Sequence, residues 1–464
     1  MEKRYKKALF IFRRDLRLHD NTALIAALQQ SELVIPCFIF DPNQVEKNPY
    51  LSTNALQFMI AALTELASDL QKRKAYMYFF YGEPCGVVEE LIKQERVDSV
   101  FVNRDYTPFS RKRDAQLEKL AKNNNVAFHS YFDLLLTEVG TVLTDKGTPY
   151  TVYSHFAKKA ESLTVEKPTT NNYKNYYVKA IKREEPEALA KVLPSSDYNR
   201  NIWNAGGRKS ALKILKGLGR FIDYDTERNI PEIDGTTGLS ANNKFGTVSI
   251  REVYWGIVDK LGTSHTLIKQ LYWRDFFSHV AFSFPHVFGH AFHKKYDGII
   301  WQKDRELFSA WCKGQTGFPI VDAGMRQLNS TGFMHNRVRM IVASFLVKDL
   351  HLDWRWGEKY FAQKLVDYDP AVNNGNWQWA ASTGCDAQPY FRIFNPWIQG
   401  KKFDPDCKYI KTWVEEIRMY DAKQIHKLGN GDSLPGYTPA IVDHSEAKKV
   451  AEDMFIEAAE IFAN

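Results

Sequence analysis

The chain of 464 residues is 44% apolar and 25% charged, globular usage for two domains, which excludes a disordered or fibrous protein. Its net charge of +7, spread over that length, permits a polyanion partner but does not by itself indicate one. Cys37, Cys85, Cys312, Cys385 and Cys407 form neither a C-x-x-C pair nor a Cys/His cluster with zinc spacing, so neither a disulfide framework nor a metal site is supported.

The opening "MEKRYKKALFIFRRDLRLHD" has a short apolar run followed at once by arginines, so it reads as a strand and not as a signal peptide. No segment reaches membrane-spanning length, and a cytoplasmic location is expected. Up to Tyr131, short apolar runs alternate with helical patterns: "ALFIF", "TALIAALQQ", "LVIPCFIF", "ALQFMIAALTELASDLQK", "AYMYFF", "GVVEELIKQ", "DSVFVN", "RDAQLEKLAKN", "VAFHSY". This alternation predicts βαβ units and a mostly parallel sheet over 1–131, with Asn125 to Tyr131 as its last strand. The first turn, "FRRDLRLHDN", lacks the G-x-G-x-x-G fingerprint, so a nicotinamide site is not expected there.

From 132 to 201 the text is polar and rich in Pro and Lys, as in "VEKPTTNNYKNYY", and reads as a connector wrapping between domains. Beyond it, over 202–464, helical periodicity dominates: "GGRKSALKILKGLGRFIDYD", "REVYWGIVDKLG", "HTLIKQLYWRDFFSHVAF", "FPIVDAGMRQL" and a final "SEAKKVAEDMFIEAAEIFAN". All 11 tryptophans lie at or beyond Trp203, a composition shift between the halves.

Four stretches of the helical half carry chemistry. In "QLYWRDFF", Gln270 and Trp273 share a helix face and Arg274 sits one turn on from Gln270; taken alone, this is an amphipathic core helix. In "TGFMHNRVRM", Asn336 and Met340 share a face while Arg337 and Arg339 need anionic partners, either Asp367 and Asp369 or a phosphate. "DGTTGLSANNKFG" offers hydroxyls and glycines suited to a phosphate, or to an ordinary turn. "NNGNWQWAAS" sets Trp377 and Trp379 on either side of a glutamine, behind Asn373.

In wording and order these stretches resemble the DNA photolyase and cryptochrome family, most closely its class I cyclobutane pyrimidine dimer photolyases. The longest shared motif, "DYDPAVNNGNWQWAASTGCDAQPYFRIFNP", runs from Asp367 to Pro396, and the match extends to "FRRDLRLHDN". The resemblance implies an α/β, Rossmann-like N-terminal antenna domain with a parallel sheet, a connector, and an all-helical C-terminal domain that holds FAD. It implies a flavin shell of Tyr224, Thr236, Thr237, Leu239, Ser240, Arg274, Asn336, Arg339, Asp367, Asp369 and Asn373, with Arg339 and Asp367 paired and Asn373 facing flavin N5. Trp377, Trp354 and Trp301 match the inner, middle and outer members of an electron relay. Trp273 and Trp379 match the walls of a lesion pocket that takes a flipped-out dimer, with Asn336 and Met340 as its floor. Arg228, Arg337 and Arg392 match contacts to the damaged strand.

The implied activity is that of a carbon–carbon lyase: blue light absorbed by reduced FAD drives electron transfer to the dimer, which splits and returns the electron. The implied partner is UV-damaged DNA, met by a monomer, and an antenna chromophore of the folate or deazaflavin type is implied by "VNRDYTPFSRKRD". Gln270 departs from the pattern, because the cyclobutane enzymes carry glutamate there and the (6-4) enzymes glutamine. The (6-4) enzymes, however, place histidines where this chain has Asn336 and Met340, so (6-4) chemistry would lack its proton donor. Phe333 stands where tryptophan is usual. The alternatives are altered lesion specificity and a cryptochrome-type photoreceptor.

Overall fold

In the computed structural model, which describes residues 3–463, five strands form one parallel sheet in the order β3-β2-β1-β4-β5. They are β1 (Tyr5–Phe12), β2 (Ser31–Phe40), β3 (Tyr78–Tyr81), β4 (Ser99–Asn103) and β5 (Ala127–Tyr131). The expected last strand starts two residues late, since Asn125 takes a left-handed turn conformation with φ +57.

Both faces of the sheet are covered. Phe10 and Phe12 of β1 pack with Leu24 and Leu28 of α1 (Thr22–Gln30) and with Phe58 and Leu63 of α2 (Thr53–Lys72). Leu9 and Ile11 point the other way, onto Val87 and Leu91 of α3 (Pro84–Glu95) and Leu117 of α4 (Pro108–Asn123). Burying each such side chain is worth roughly 1.5–3 kcal/mol, which is why these strands read as continuous apolar runs. Side chains of Asn21, Ser52, Glu83 and Thr107 cap the four helices by accepting backbone N–H bonds.

The connector returns along the sheet, where Val34 N–H donates to Asn175 O and Tyr177 N–H to Val34 O. It contains α5 (Tyr153–Ala160) and a buried ionic knot. Asp133 of the connector pairs with Arg17 of the β1–α1 turn and with Arg251 of the helical half, and Arg251 also pairs with Asp20 at 2.8 Å. Three parts of the chain are thereby tied together by charges removed from water.

The helical half contains α6 (Arg208–Lys216), α7 (Ser240–Phe245), α8 (Ile250–Leu261), α9 (Thr266–Ser283), α10 (Pro319–Thr331), α11 (Asn336–Ser344), α12 (Trp354–Lys364), α13 (Pro370–Ala380) and α14 (His444–Ala463). The single helical pattern read through "GGRKSALKILKGLGRFIDYD" breaks at Gly217, leaving a 3-10 turn at Leu218–Phe221 and a short helix at Tyr224–Glu227. Helix α9 is buried around most of its circumference and packs on α13. Gly375 permits this approach, because a Cβ there would lie 2.1 Å from the Phe277 ring.

Candidate active site

Three helices bring the motif residues together: α9 carries Gln270, Trp273 and Arg274, α11 carries Asn336, Arg337, Arg339 and Met340, and α13 carries Asn373, Trp377 and Trp379. Helix α13 starts where it does because Asp369 caps it, accepting from Ala371 N–H at 3.1 Å, and Pro370 occupies its first turn.

The arginines divide their partners. Arg339 donates to both carboxylate oxygens of Asp367, at 3.3 and 2.9 Å, and its Nε donates to Met334 O at 2.7 Å, so the pair is fixed in orientation. Asp369 pairs with Arg14, from the end of β1. Arg337 instead donates to Asn229 Oδ1 at 2.7 Å. Its Nε, and that of Arg228, are buried with no hydrogen-bond partner among the described residues. Burial, then the charge of Arg228, lowers the Arg337 pKa. Guanidinium donors without partners suit an anion such as a phosphate.

The loop ahead of α7 holds Thr236, Thr237 and Leu239, with Gly238 in the left-handed region at φ +64, and Ser240 opens the helix. Arg274 ties α7 to the connector: its Nη2 donates to Asn243 O of α7 at 3.1 Å and its Nη1 to Leu134 O at 2.7 Å. Tyr224 is buried beneath Arg228, whose guanidinium lies 5.7 Å from the ring centre. Asn243 Oδ1 and His335 Nε2 are further buried polar atoms with no partner among the described residues. Orphaned donors and acceptors beside a hydroxyl-bearing loop fit the phosphates and heteroaromatic rings of a dinucleotide, and FAD matches this donor set.

Asn373 shows a partner that the sequence did not reveal. Its Nδ2 donates to the carbonyl of Glu358 at 3.1 Å and lies 3.5 Å from that residue's Oε1. Burial pushes the Glu358 carboxyl up to about 7, against the opposing Asn373 hydrogen bond. Glu358 stands outside every motif quoted above, so only proximity finds it.

The tryptophans separate by exposure. Trp377 and Trp354 are fully buried while Trp301 is partly exposed, a gradient from core to surface. Gly357 lets Trp377 sit tightly, since a Cβ there would be 2.2 Å from the ring. Trp311, not singled out by any motif, packs edge-on against Trp377 at 6.2 Å. Trp273 and Trp379 are half-exposed, as are Gln270 and Met340, and Asn336 and Arg392 are exposed. Asn336 Nδ2 points at Met340 Sδ, 3.8 Å away, so those two occupy one face as their spacing predicts.

A second cleft, of about 230 Å³, lies outside the carboxyl ends of β1 and β2. Phe12, Phe38, Phe40 and Met59 form apolar lining, and Arg13, Arg113 and Lys244 supply charge. Arg13 Nη2 and Arg113 Nη2 are buried without partners among the described residues, and burial brings Lys244 down to about 8. The strand order reverses beside β1, where open α/β sheets bind ligands. The segment Val102 to Asp114 contributes Asp105, Thr107, Ser110 and Arg113.

Residues 8–172 match the family model described as DNA photolyase, and residues 267–457 match the FAD binding domain of DNA photolyase. The deoxyribodipyrimidine photo-lyase of Synechococcus sp. is 36% identical over 469 residues, spanning 95% of this chain and 94% of that protein. The chain belongs to the DNA photolyase family. Solved photolyases have the same fold throughout. The Sulfolobus tokodaii enzyme, solved with two FAD molecules, is 42% identical with a TM-score of 0.89, covering 97% of this chain and 100% of that one. A class III photolyase from Agrobacterium tumefaciens is 33% identical with a TM-score of 0.91, covering 99% of each chain. The first photolyase match takes in most of the sheet and α5; the second runs from α9 through most of α14 and contains Trp273, Arg339, Asp367 and Asn373.

Proposed function

We propose that this protein uses blue light to split cyclobutane pyrimidine dimers in UV-damaged DNA, working as a monomer. The observation that carries this reading is that two half-exposed indoles, Trp273 and Trp379, lie on helices α9 and α13, which pack together and also carry Arg274 and Asn373. Indoles so placed offer stacking surfaces to an extruded dimer. Asn336 and Met340 form the polar and soft parts of the floor, and Gln270 offers an amide donor to a pyrimidine carbonyl. Bound FAD supplies light absorption and the electron. The protein's own part is to hold it: Tyr224 from the short helix at Tyr224–Glu227, Thr236, Thr237, Leu239 and Ser240 at the start of α7, Arg274 of α9, the Arg339–Asp367 pair, and the Asn373 amide. Trp377, Trp354 and Trp301 conduct electrons inward from the surface. Arg228, Arg337 and Arg392 take DNA phosphates. No helix of the described residues is long and apolar enough to cross a membrane.

The deciding experiment irradiates the reduced protein with an oligonucleotide carrying one thymine cyclobutane dimer, with a dark control. Light-dependent loss of the dimer is expected. Its absence, with FAD bound and reduced, overturns the reading.

The cleft at the sheet edge is proposed to hold a second chromophore of the flavin nucleotide class. Its apolar lining suits a tricyclic ring, and Arg13, Arg113 and Lys244 suit phosphate; the solved Sulfolobus tokodaii photolyase, with its two FAD molecules, supports the same choice. Chromophores extracted from the purified protein should give two flavins per chain, falling to one in Arg113→Ala. One flavin together with a folate or a deazaflavin would refute the assignment.

A further inference from the structure

Tyr153, the first residue of α5, belongs to the connector, a part of the chain to which no role in repair has been given above. Its ring lies flat on the indole of Trp273, with centroids 3.6 Å apart and planes within 7°. Phe276 meets the same tyrosine edge-on at 5.8 Å. The phenol donates to Lys269 O at 2.9 Å, the carbonyl just before Gln270. The indole is therefore clamped by a stack on one face, and the stacked ring is itself pinned to the backbone of α9.

The same stretch of connector also grips the other side of the pocket. Tyr153 N–H donates to Asp386 Oδ2 at 3.0 Å, and Cys385 Sγ donates to Thr151 O at 2.9 Å. Residues 385 and 386 lie in the loop that follows α13, and that loop folds back so that Gln388 N–H donates to Trp379 O at 3.3 Å. One short piece of chain thus links Trp273 on α9 to the loop seated on Trp379. A ring held only by its own helix would sample several rotamers and lose them on binding, whereas one already stacked is held in a fixed plane.

We infer that Tyr153 is a positioning residue for the lesion pocket: it sets the plane of Trp273 and its spacing from Trp379, and so favours dimer-containing over undamaged DNA. This rests on the reading of Trp273 and Trp379 as lesion-pocket walls. Tyr153 touches neither the flavin loop nor the phosphate-side arginines in the contacts above. Its effect therefore falls on lesion affinity and leaves FAD retention and general DNA binding in place.

The test measures dark binding of a dimer-bearing oligonucleotide and its undamaged counterpart by the FAD-loaded full chain, for Tyr153→Leu, Tyr153→Phe and Trp273→Ala. FAD content and the splitting yield of fully bound substrate are read alongside. Tyr153→Leu should weaken dimer binding by about tenfold, the scale of one lost aromatic pair and one side chain to be ordered. Undamaged DNA binding, FAD content and splitting yield should hold. Tyr153→Phe, which keeps the stack, should stay within about twofold of the parent. Unchanged dimer affinity in Tyr153→Leu, with Trp273→Ala weakened, overturns the role of Tyr153 alone. Equal losses for both DNAs, or loss of FAD, reduce Tyr153 to general structure and overturn it too. If Trp273→Ala itself binds the dimer normally, the lesion-pocket reading falls and this inference with it.

Discussion

Arg14, just beyond β1, forms an ion pair with Asp369, the cap of the helix that carries Asn373, Trp377 and Trp379. The same guanidinium donates to Asp105 at 3.1 Å in the lining of the sheet-edge cleft. One cation therefore joins the two proposed chromophore sites. Burial pushes the Asp369 carboxyl up, and Arg14, Lys244 and Arg274 more than reverse it, leaving it below the ordinary value.

Arg14→Met should strand two buried carboxylates and cost about 3–5 kcal/mol. A marked drop in melting temperature and loss of FAD absorbance on purification are expected. An unchanged melting curve would show that the pair contributes nothing to coupling the two halves.

Glu358 provides a pH signature. Its folded-state carboxyl is raised to about 7, so the native protein holds a proton that the unfolded chain releases near pH 4.3. This group's contribution accordingly makes stability fall as pH rises through that window. Glu358→Gln should remove the fall, seen as a flatter plot of melting temperature against pH. It should also alter the flavin absorbance spectrum, through the Asn373 amide that Glu358 holds.

Lys348 acts in the opposite sense. It is buried below α14 with its ammonium 3.5 Å from the centre of the Phe455 ring, and burial lowers its pKa to about 7 although Glu452 opposes this. Between about pH 7 and the unfolded value near 10.4 the unfolded chain binds the extra proton, so stability rises with pH. Lys348→Met should raise the melting temperature at neutral pH and abolish the rise; a parallel, unshifted profile would contradict this.

Trp377→Phe should stop light-driven reduction of bound FAD while leaving repair by chemically reduced protein near the parental rate. Transient absorption checks the first and dimer splitting the second. Electron delivery that survives the substitution would point to Trp311, its neighbour at 6.2 Å, as an alternative entry.

Gln270→Glu should split dimers at least as well as the parent, because a carboxyl in that place can donate a proton-bearing hydrogen bond to the pyrimidine. A severalfold loss in quantum yield would mean that the pocket has been rebuilt around the amide.

Much of this protein is legible in its sequence because the determining signals are local. Strand and helix periods alternate up to Tyr131, and the run from Asp367 to Pro396 keeps its motif residues on one helix and the loops on either side of it. Spacing likewise put Gln270 with Trp273, and Asn336 with Met340, since three or four residues make one helical turn. The helical period of "GGRKSALKILKGLGRFIDYD" is realised in pieces, because Gly217 ends a pattern that side-chain periodicity alone would continue. What the tertiary structure alone decided are pairings between remote residues. Arg14 meets Asp369 across 355 positions, Tyr153 N–H meets Asp386 across 233, and Asn373 meets Glu358 from a neighbouring helix. No periodicity encodes such contacts; they arise when apolar faces pack and the polar groups carried inside must find whichever partner the packing delivers.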